Sequence, residues 1–268
     1  NAKEAATFYC QVFPDSKVLD SNPFVTIFES SGQKFLCLNG GPEFPITPSI
    51  SMYTVLDSEE LIQKIWDQLI DGGSAMMPLD TYPWSKKYGW VKDKYGVSWQ
   101  LTVDKPASSD QRFSPCLMFS GNNFGKAEEA IEFYTSIFKN SKSVFAAKYG
   151  AEHGVQEGKI MHAQFILNNG LFVAMDSSYD HGFNFNEGIS FVIDCKNQKE
   201  IDYYWEKLTA EGGSSSQCGW LKDKFGVSWQ IVPVILGSLI SNPVKGSKAM
   251  EALMKMSKII IAELQSTS

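Results

Sequence analysis

The sequence is poor in the residues that most often announce a function. Histidine occurs three times, at 153, 162 and 181, with no HxxxH run or comparable pairing, so no metal-ligand spacing can be read from it. The five cysteines (Cys10, Cys37, Cys116, Cys195, Cys218) are odd in number and form no CxxC pair, which argues against a disulfide framework and for reduced core thiols in a cytoplasmic protein. Lysine and arginine never cluster, and a formal net charge of −6 with a pI near 5.2 excludes the electrostatic footprint of a nucleic-acid or anionic-membrane partner. No apolar run reaches the roughly eighteen residues that a membrane-spanning helix needs. What is present is 43% hydrophobic and 13% aromatic residues, enough for one large domain or two ordinary ones in 268 residues.

The organising feature is a duplication. "GWVKDKYGVSWQ" at 89–100 returns as "GWLKDKFGVSWQ" at 219–230, and each copy closes a similar series of elements. Amphipathic helices carry the shared Phe-Tyr pairs Phe8-Tyr9 and Phe133-Tyr134, with Ala130, Ile137 and Phe138 at helical spacing. β-rich runs follow around Ser-Gly or Asn-Gly, where glycine accepts the positive φ of a hairpin. A second helix opens on Asp57-Ser-Glu-Glu60 or Asn197-Gln-Lys-Glu200, both capping-box patterns, and stops at Gly72-Gly73 or Gly212-Gly213. In the repeated phrase, Asp93-Lys94 and Asp223-Lys224 read as turn residues between two short strands.

These elements predict an α+β fold of two tandem domains, residues 1–105 and 114–235, joined by a Pro-, Ser- and charge-containing linker at 104–114. A tail at 236–268 carries the helical stripe Ala249, Leu253, Met256, Ile260 and Leu264. The second copy opens with a strand at 115–120, whereas the first starts inside its helix. The expectation is that an equivalent strand lies upstream of Asn1.

"KAEEAIEFYTSIF", "NEGISFVIDC", "YYWEKLTAEGG", "SQCGWLKDKFGVSWQIVP" and "KAMEALMKMSKIIIAEL" together resemble the PhnB-like family whose sequence label is 3-demethylubiquinone-9 3-methyltransferase. That family belongs to the vicinal oxygen chelate superfamily, with glyoxalase I, bleomycin-resistance proteins and extradiol dioxygenases. The resemblance implies paired βαβββ modules whose mixed strands curl into a cup, with helices outside and a ligand inside. It also implies metal-ligand positions, which carry over to Gln100 and Gln230 on the eighth strand, near Ser51 or Gly188 on the fifth, near Leu38 or Met175 on the fourth and near Pro115 on the first. Glutamine aside, those are not ligands, so no metal or other cofactor is expected, a divalent metal being the alternative. The methyl-transfer label finds no support, because neither "NGGPEF" nor "EGGSSS" is the glycine-rich turn after a parallel strand that S-adenosylmethionine binding uses.

Strand alternation puts Trp99 and Trp229 toward the helices and Gln100 and Gln230 into the cups. A glutamine in an apolar cup needs a partner, either a neighbouring strand or a ligand. Trp90 and Trp220 are candidates for a rim on which a planar ligand stacks, and Met175 is a further lining candidate. Three readings stand: a small-molecule-binding module without a complete metal site, a metal-dependent isomerase, lyase or dioxygenase, and a structural pairing in which one repeat serves as a built-in partner. The tandem chain is then an intrachain pseudo-dimer, with a further homodimer open to it. Replacement of Trp229 by Ala is expected to cost roughly 3–5 kcal/mol in urea denaturation, while Gln230→Ala leaves the fold nearly intact and changes ligand binding alone.

Overall fold

The computed structural model describes residues 1–104 and 111–266, so 105–110, the middle of the linker read at 104–114, lies outside the described residues. The first repeat runs α1 (Ala2–Val12), β1 (Ser16–Ser21), β2 (Val25–Ser30), β3 (Gln33–Leu38), β4 (Ile50–Leu56), α2 (Glu59–Ile70), β5 (Ser74–Tyr82), β6 (Ser85–Lys92) and β7 (Ser98–Val103). The second adds an opening strand: β8 (Phe113–Phe119), α3 (Ala127–Ile137), β9 (Lys142–Lys148), β10 (Ile160–Leu167), β11 (Gly170–Asp176), β12 (Ser190–Cys195), α4 (Gln198–Thr209), β13 (Ser214–Ser215), β14 (Trp220–Lys222) and β15 (Ser228–Pro233). The tail forms α5 (Leu236–Ile240), α6 (Gly246–Leu253) and α7 (Ile261–Ser266). The mixed α/β architecture with two repeats is the one the residues predict.

Strand pairing cuts across the duplication. An eight-stranded sheet, ordered β5-β6-β7-β4-β8-β11-β10-β9, joins the second module of the first repeat to the first module of the second. The join is the antiparallel pair β4–β8, while β4–β7 and β8–β11 are parallel. β1–β3 make a separate three-stranded sheet, and β12–β15 a four-stranded one. By internal contacts the chain divides into two compact units, Asn1–Asn184, with the eight- and three-stranded sheets, and Phe185–Ser268, with the four-stranded sheet and the tail. Duplication records how the sequence arose; compactness records which strands found each other.

The repeated phrase builds the same small device twice. Asp93 is 3% exposed, and its Oδ1 accepts the backbone N–H groups of Tyr95 (2.8 Å) and Val97 (3.0 Å). Its Oδ2 accepts the Trp99 indole N–H and the Tyr9 hydroxyl, both at 2.8 Å, which ties α1 to the hairpin. Asp223, 2% exposed, accepts Phe225 N (2.9 Å), Val227 N (3.1 Å) and the Trp229 indole (2.8 Å) in the same way. These aspartates do occupy the turn, as the sequence suggests, but as buried struts. Burial raises the Asp93 pKa, and the bonds from Trp99, Tyr9, Tyr95 and Val97 oppose that rise. Gly96 and Gly226 sit at φ +91° and +88°, where a side chain would be strained.

Gly73 and Gly213 are required for a second reason. A Cβ at Gly73 would lie 2.4 Å from the Lys92 carbonyl and 2.7 Å from that of Leu69, and one at Gly213 would lie 2.8 Å from the Lys222 carbonyl and 2.6 Å from that of Leu208. The end of each second helix therefore rests directly on the strand of the repeated phrase. Trp99 (3% exposed) joins Tyr9, Phe13, Ile62, Ile65, Leu69, Leu101 and Phe113 in the core of the first unit, and Trp229 (2%) packs on Phe191 in the second. Both tryptophans are buried on the side of their strand opposite the glutamine that follows, as alternation requires.

Two local expectations change. The N-cap of α2 is Ser58, which accepts the Leu61 amide, one residue later than the Asp57 pattern suggests; Asn197 does cap α4. The tail is not one striped helix. It breaks between α6 and α7, where the carbonyls of Met256 and Ser257 accept the amides of Cys218 (2.7 Å) and Gly219 (2.8 Å), and Ile259 rather than Ile260 is fully buried. A continuous helix would have kept those carbonyls for itself. Because Asp223→Ala strands a buried indole and two amides, it is expected to cost about 3–5 kcal/mol. Asp223→Asn, which keeps an acceptor for the two amides, should lose clearly less in the same urea titration.

Candidate ligand-binding site

Register and alternation assign the two faces of the eight-stranded sheet. Trp99, Leu101, Val91 and Phe113 point into the helical core, so the residues between them point to the opposite face. That face carries Ser51 and Tyr53 on β4, Tyr88 and Trp90 on β6, Ser98, Gln100 and Thr102 on β7, Ser114 and Cys116 on β8, and Met175 on β11. Polar side chains on a face turned away from the helices would ordinarily be wet. Here Ser51, Gln100, Ser114 and Cys116 are at most 2% exposed.

Gln100 is the hub. Its Nε2 donates to Ser51 Oγ and its Oε1 accepts the Tyr88 hydroxyl, each at 2.8 Å. The Cys116 thiol joins Gln100 and Ser51, and burial pushes its pKa up to about 12. Burial likewise raises Tyr88 and Tyr53, the latter partly offset by a bond with Thr102. With the Cys116 thiol as a third neighbour, the amide of Gln100 keeps one lone pair beyond these contacts. Trp90 lies opposite Gln100 on the neighbouring strand, its indole N–H held by Ser98 Oγ. On β10, His162 stacks obliquely on Tyr53 with ring centres 5.6 Å apart, and desolvation lowers its pKa, favouring the neutral imidazole.

The structure thus gathers Gln100, Trp90 and Met175 on one face of one sheet. Gln230 and Trp220 are also cross-strand neighbours, but on the four-stranded sheet, where Gln230 donates to Ser190 Oγ at 2.9 Å. The metal-ligand positions implied by resemblance meet on the eight-stranded sheet as Ser51, Gln100, Cys116 and Met175, two from each repeat. Pro115 is not among them, since it pairs with Met52 and turns to the helical side; Cys116, one residue on, takes the inner face. This set does not fit a transition metal: it offers no imidazole or carboxylate, its thiol strongly resists ionisation, and its glutamine is already engaged. Among the described residues no three His, Cys, Asp or Glu side chains are grouped to hold one. His153 lies by Glu152, and His181 bonds Ser177 in its own loop, both away from this network.

Sequence reasoning missed Tyr88, Tyr53, Cys116 and His162. The first two could have been found by counting even and odd positions outward from Gln100 once β4 was known to adjoin β7. Two solvent-open depressions of about 610 and 460 Å³ lie elsewhere, one at the start of α1 and one beside Gly72-Gly73, where it borders the turn that carries Asp93.

Tandem βαβββ modules sharing a curled mixed sheet, polar on its inner face, define a protein of the vicinal oxygen chelate class. More narrowly, the chain belongs to the family described as 3-demethylubiquinone-9 3-methyltransferase, whose pattern matches residues 1–102 and again 111–232. The PhnB protein of Bacillus cereus is 37% identical over 38% of this chain and 91% of its own, with a TM-score of 0.37. Glyoxalase I from Zea mays matches 87% of each chain at 13% identity and a TM-score of 0.55, which is a likeness of fold. No curated protein matches the chain. Among the described residues no helix is long and apolar enough to cross a membrane.

The buried thiols carry a testable consequence. Cys116 has a folded pKa of about 12 against 9.0 when exposed, so near pH 8 its thiolate is scarce as well as shielded. Iodoacetamide should alkylate the half-buried Cys10 and Cys218 well before Cys116, as peptide mass spectrometry would read. The raised pKa also signs the linkage: this contribution to stability is present below pH 9.0 and falls as pH climbs toward 12, and Cys116→Ala should flatten that alkaline decline.

Proposed function

We propose that this protein binds a small, largely planar molecule on the inner face of its eight-stranded sheet, without a transition metal held by the four positions the superfamily uses. The observation that carries this reading is Gln100, a nearly inaccessible amide bonded to Ser51 and Tyr88 where a metal ligand would have to be free. Around it the face mixes aromatic surface (Trp90, Tyr88, Tyr53) with a few fixed hydrogen-bonding groups, the composition expected of a small-molecule site. Methyl transfer is not part of the reading. The glycines at 40–41 follow a hairpin strand and those at 212–213 close a helix, so neither offers backbone amides to a cofactor at the end of a parallel strand.

The test has two arms. Untagged protein dialysed against nickel, manganese, zinc or iron(II) is expected to retain far less than one equivalent by elemental analysis. Neutral planar probes such as benzamide and indole are expected to shift the side-chain NMR signals of Gln100 and Trp90, and Gln100→Ala should weaken them roughly tenfold, as loss of one buried hydrogen-bonding partner does. Stoichiometric metal that disappears in Gln100→Ala would overturn the proposal in favour of a metal-dependent enzyme.

A further inference from the structure

Of the 24 basic residues in the chain one alone is an arginine, Arg112. It immediately precedes β8. The amide of Val55 donates to its carbonyl at 3.0 Å, which continues the β4–β8 register one step beyond the pair Thr54–Phe113. Alternation therefore turns its side chain to the face that carries Ser114 and Cys116. Its Nη1 is buried and has no hydrogen-bond partner among the described residues. A guanidinium cannot shed its proton to escape this situation, so an unmade bond on it is among the more costly defects a fold can hold. Such a defect makes sense where a ligand completes it.

The row of the sheet to which Arg112 belongs says what else that ligand meets. Val55 pairs with Thr102 and Thr102 with Tyr88, so Arg112, Val55, Thr102 and Tyr88 lie side by side across β8, β4, β7 and β6. Three strand spacings separate the ends of this row, about 14 Å along the sheet. At the far end Tyr88 meets Tyr82 and Trp84 edge-on, with ring centres 5.6 and 5.9 Å away, and Trp84 is 63% exposed on the tip of the β5–β6 hairpin. One end of the row thus offers a planar fork of donors and the other a wall of rings.

We infer that the inner face takes an organic anion: a carboxylate or phosphonate engaged by the Arg112 fork, with a planar body lying toward Tyr88, Tyr82 and Trp84. This rests on the inner face being the ligand site. The recognition is short-range. A chain of net charge −6 does not draw anions by its overall field, so selectivity comes from one placed cation rather than from steering.

The experiment titrates benzoate, phenylphosphonate, inorganic phosphate, benzamide and benzyl alcohol into the full chain and into Arg112→Gln and Arg112→Lys, following NMR shifts. Benzoate or phenylphosphonate should bind at least roughly tenfold tighter than benzamide, as a bidentate ionic pair does over a neutral amide. Inorganic phosphate, which has no ring, should bind more weakly than phenylphosphonate. Arg112→Gln should erase the preference for anions while leaving the melting temperature unchanged or raised, since Nη1 has no hydrogen-bond partner among the described residues. Arg112→Lys should keep part of the preference. Equal binding of benzoate and benzamide, an anion preference that survives Arg112→Gln, or a clear fall in melting temperature on that substitution would each overturn the inference. If neutral rings bind at Gln100 and Trp90 and anions do not, the inference fails and the proposed site stands. If nothing in the panel binds, both fail.

Discussion

A buried carboxylate holds each repeat together. In the first, Asp93 draws the two amides of its own turn, the indole of the returning strand and the hydroxyl of Tyr9 on α1 onto one pair of oxygens. The spacing Asp-Lys-aromatic-Gly-Val-Ser-Trp sets all of this at once: glycine supplies the positive φ, residues two and four after the aspartate supply the amides, and residue six returns the tryptophan above it. Burying a charge is expensive, and the rise in its pKa shows that the expense is not fully cancelled. The arrangement is tolerated because removing any one contact leaves the others exposed to the same desolvation. Chain entropy favours it too, since three of the four donors are local in sequence.

The hairpin so fixed determines which face of β7 looks inward. With Trp99 committed to the aspartate and the helical core, Gln100 has no choice but the opposite face, and β4, in parallel register with β7, delivers Ser51 to it. From there the site depends on β8, contributed by the other repeat. Its antiparallel pairing with β4 brings Cys116 beside Ser51 and sets Arg112 one row beyond Ser114. The inner face is thus assembled from two halves that are neighbours in space because the repeats exchange modules.

That face is also where the molecule gives up stability. The helical side is apolar, whereas the inner side carries a buried thiol, two largely buried tyrosines, a half-buried imidazole and an arginine whose Nη1 is shielded from water. Most of these groups answer one another. Arg112 Nη1 does not, among the described residues.

The amino-acid sequence by itself determined the local order: helix, hairpin, capped helix and twin phrase are written in periodicity, in paired glycines and in Asp-to-Trp spacing, all of which act within a dozen or so residues. It also assigned Trp99 and Gln100 to opposite faces, because alternation along a strand needs no knowledge of neighbours. Some parallels were visible only as likeness. Asn39 and Asp176 sit at matching places and each receives a helix N-terminal amide, Ala2 at 2.8 Å and Ala127 at 3.2 Å, yet different residue types hid the common role. Only the tertiary structure decided that β4 adjoins β8, that the inner-face residue of β8 is Cys116 and not Pro115, and that the arginine beside the linker continues the β4–β8 register. The reason is physical: a repeat encodes the same local preferences twice, and those preferences are satisfied equally well whichever copy supplies the neighbouring strand. The choice between partners rests on long-range burial and chain closure, which leave no periodic mark on the sequence.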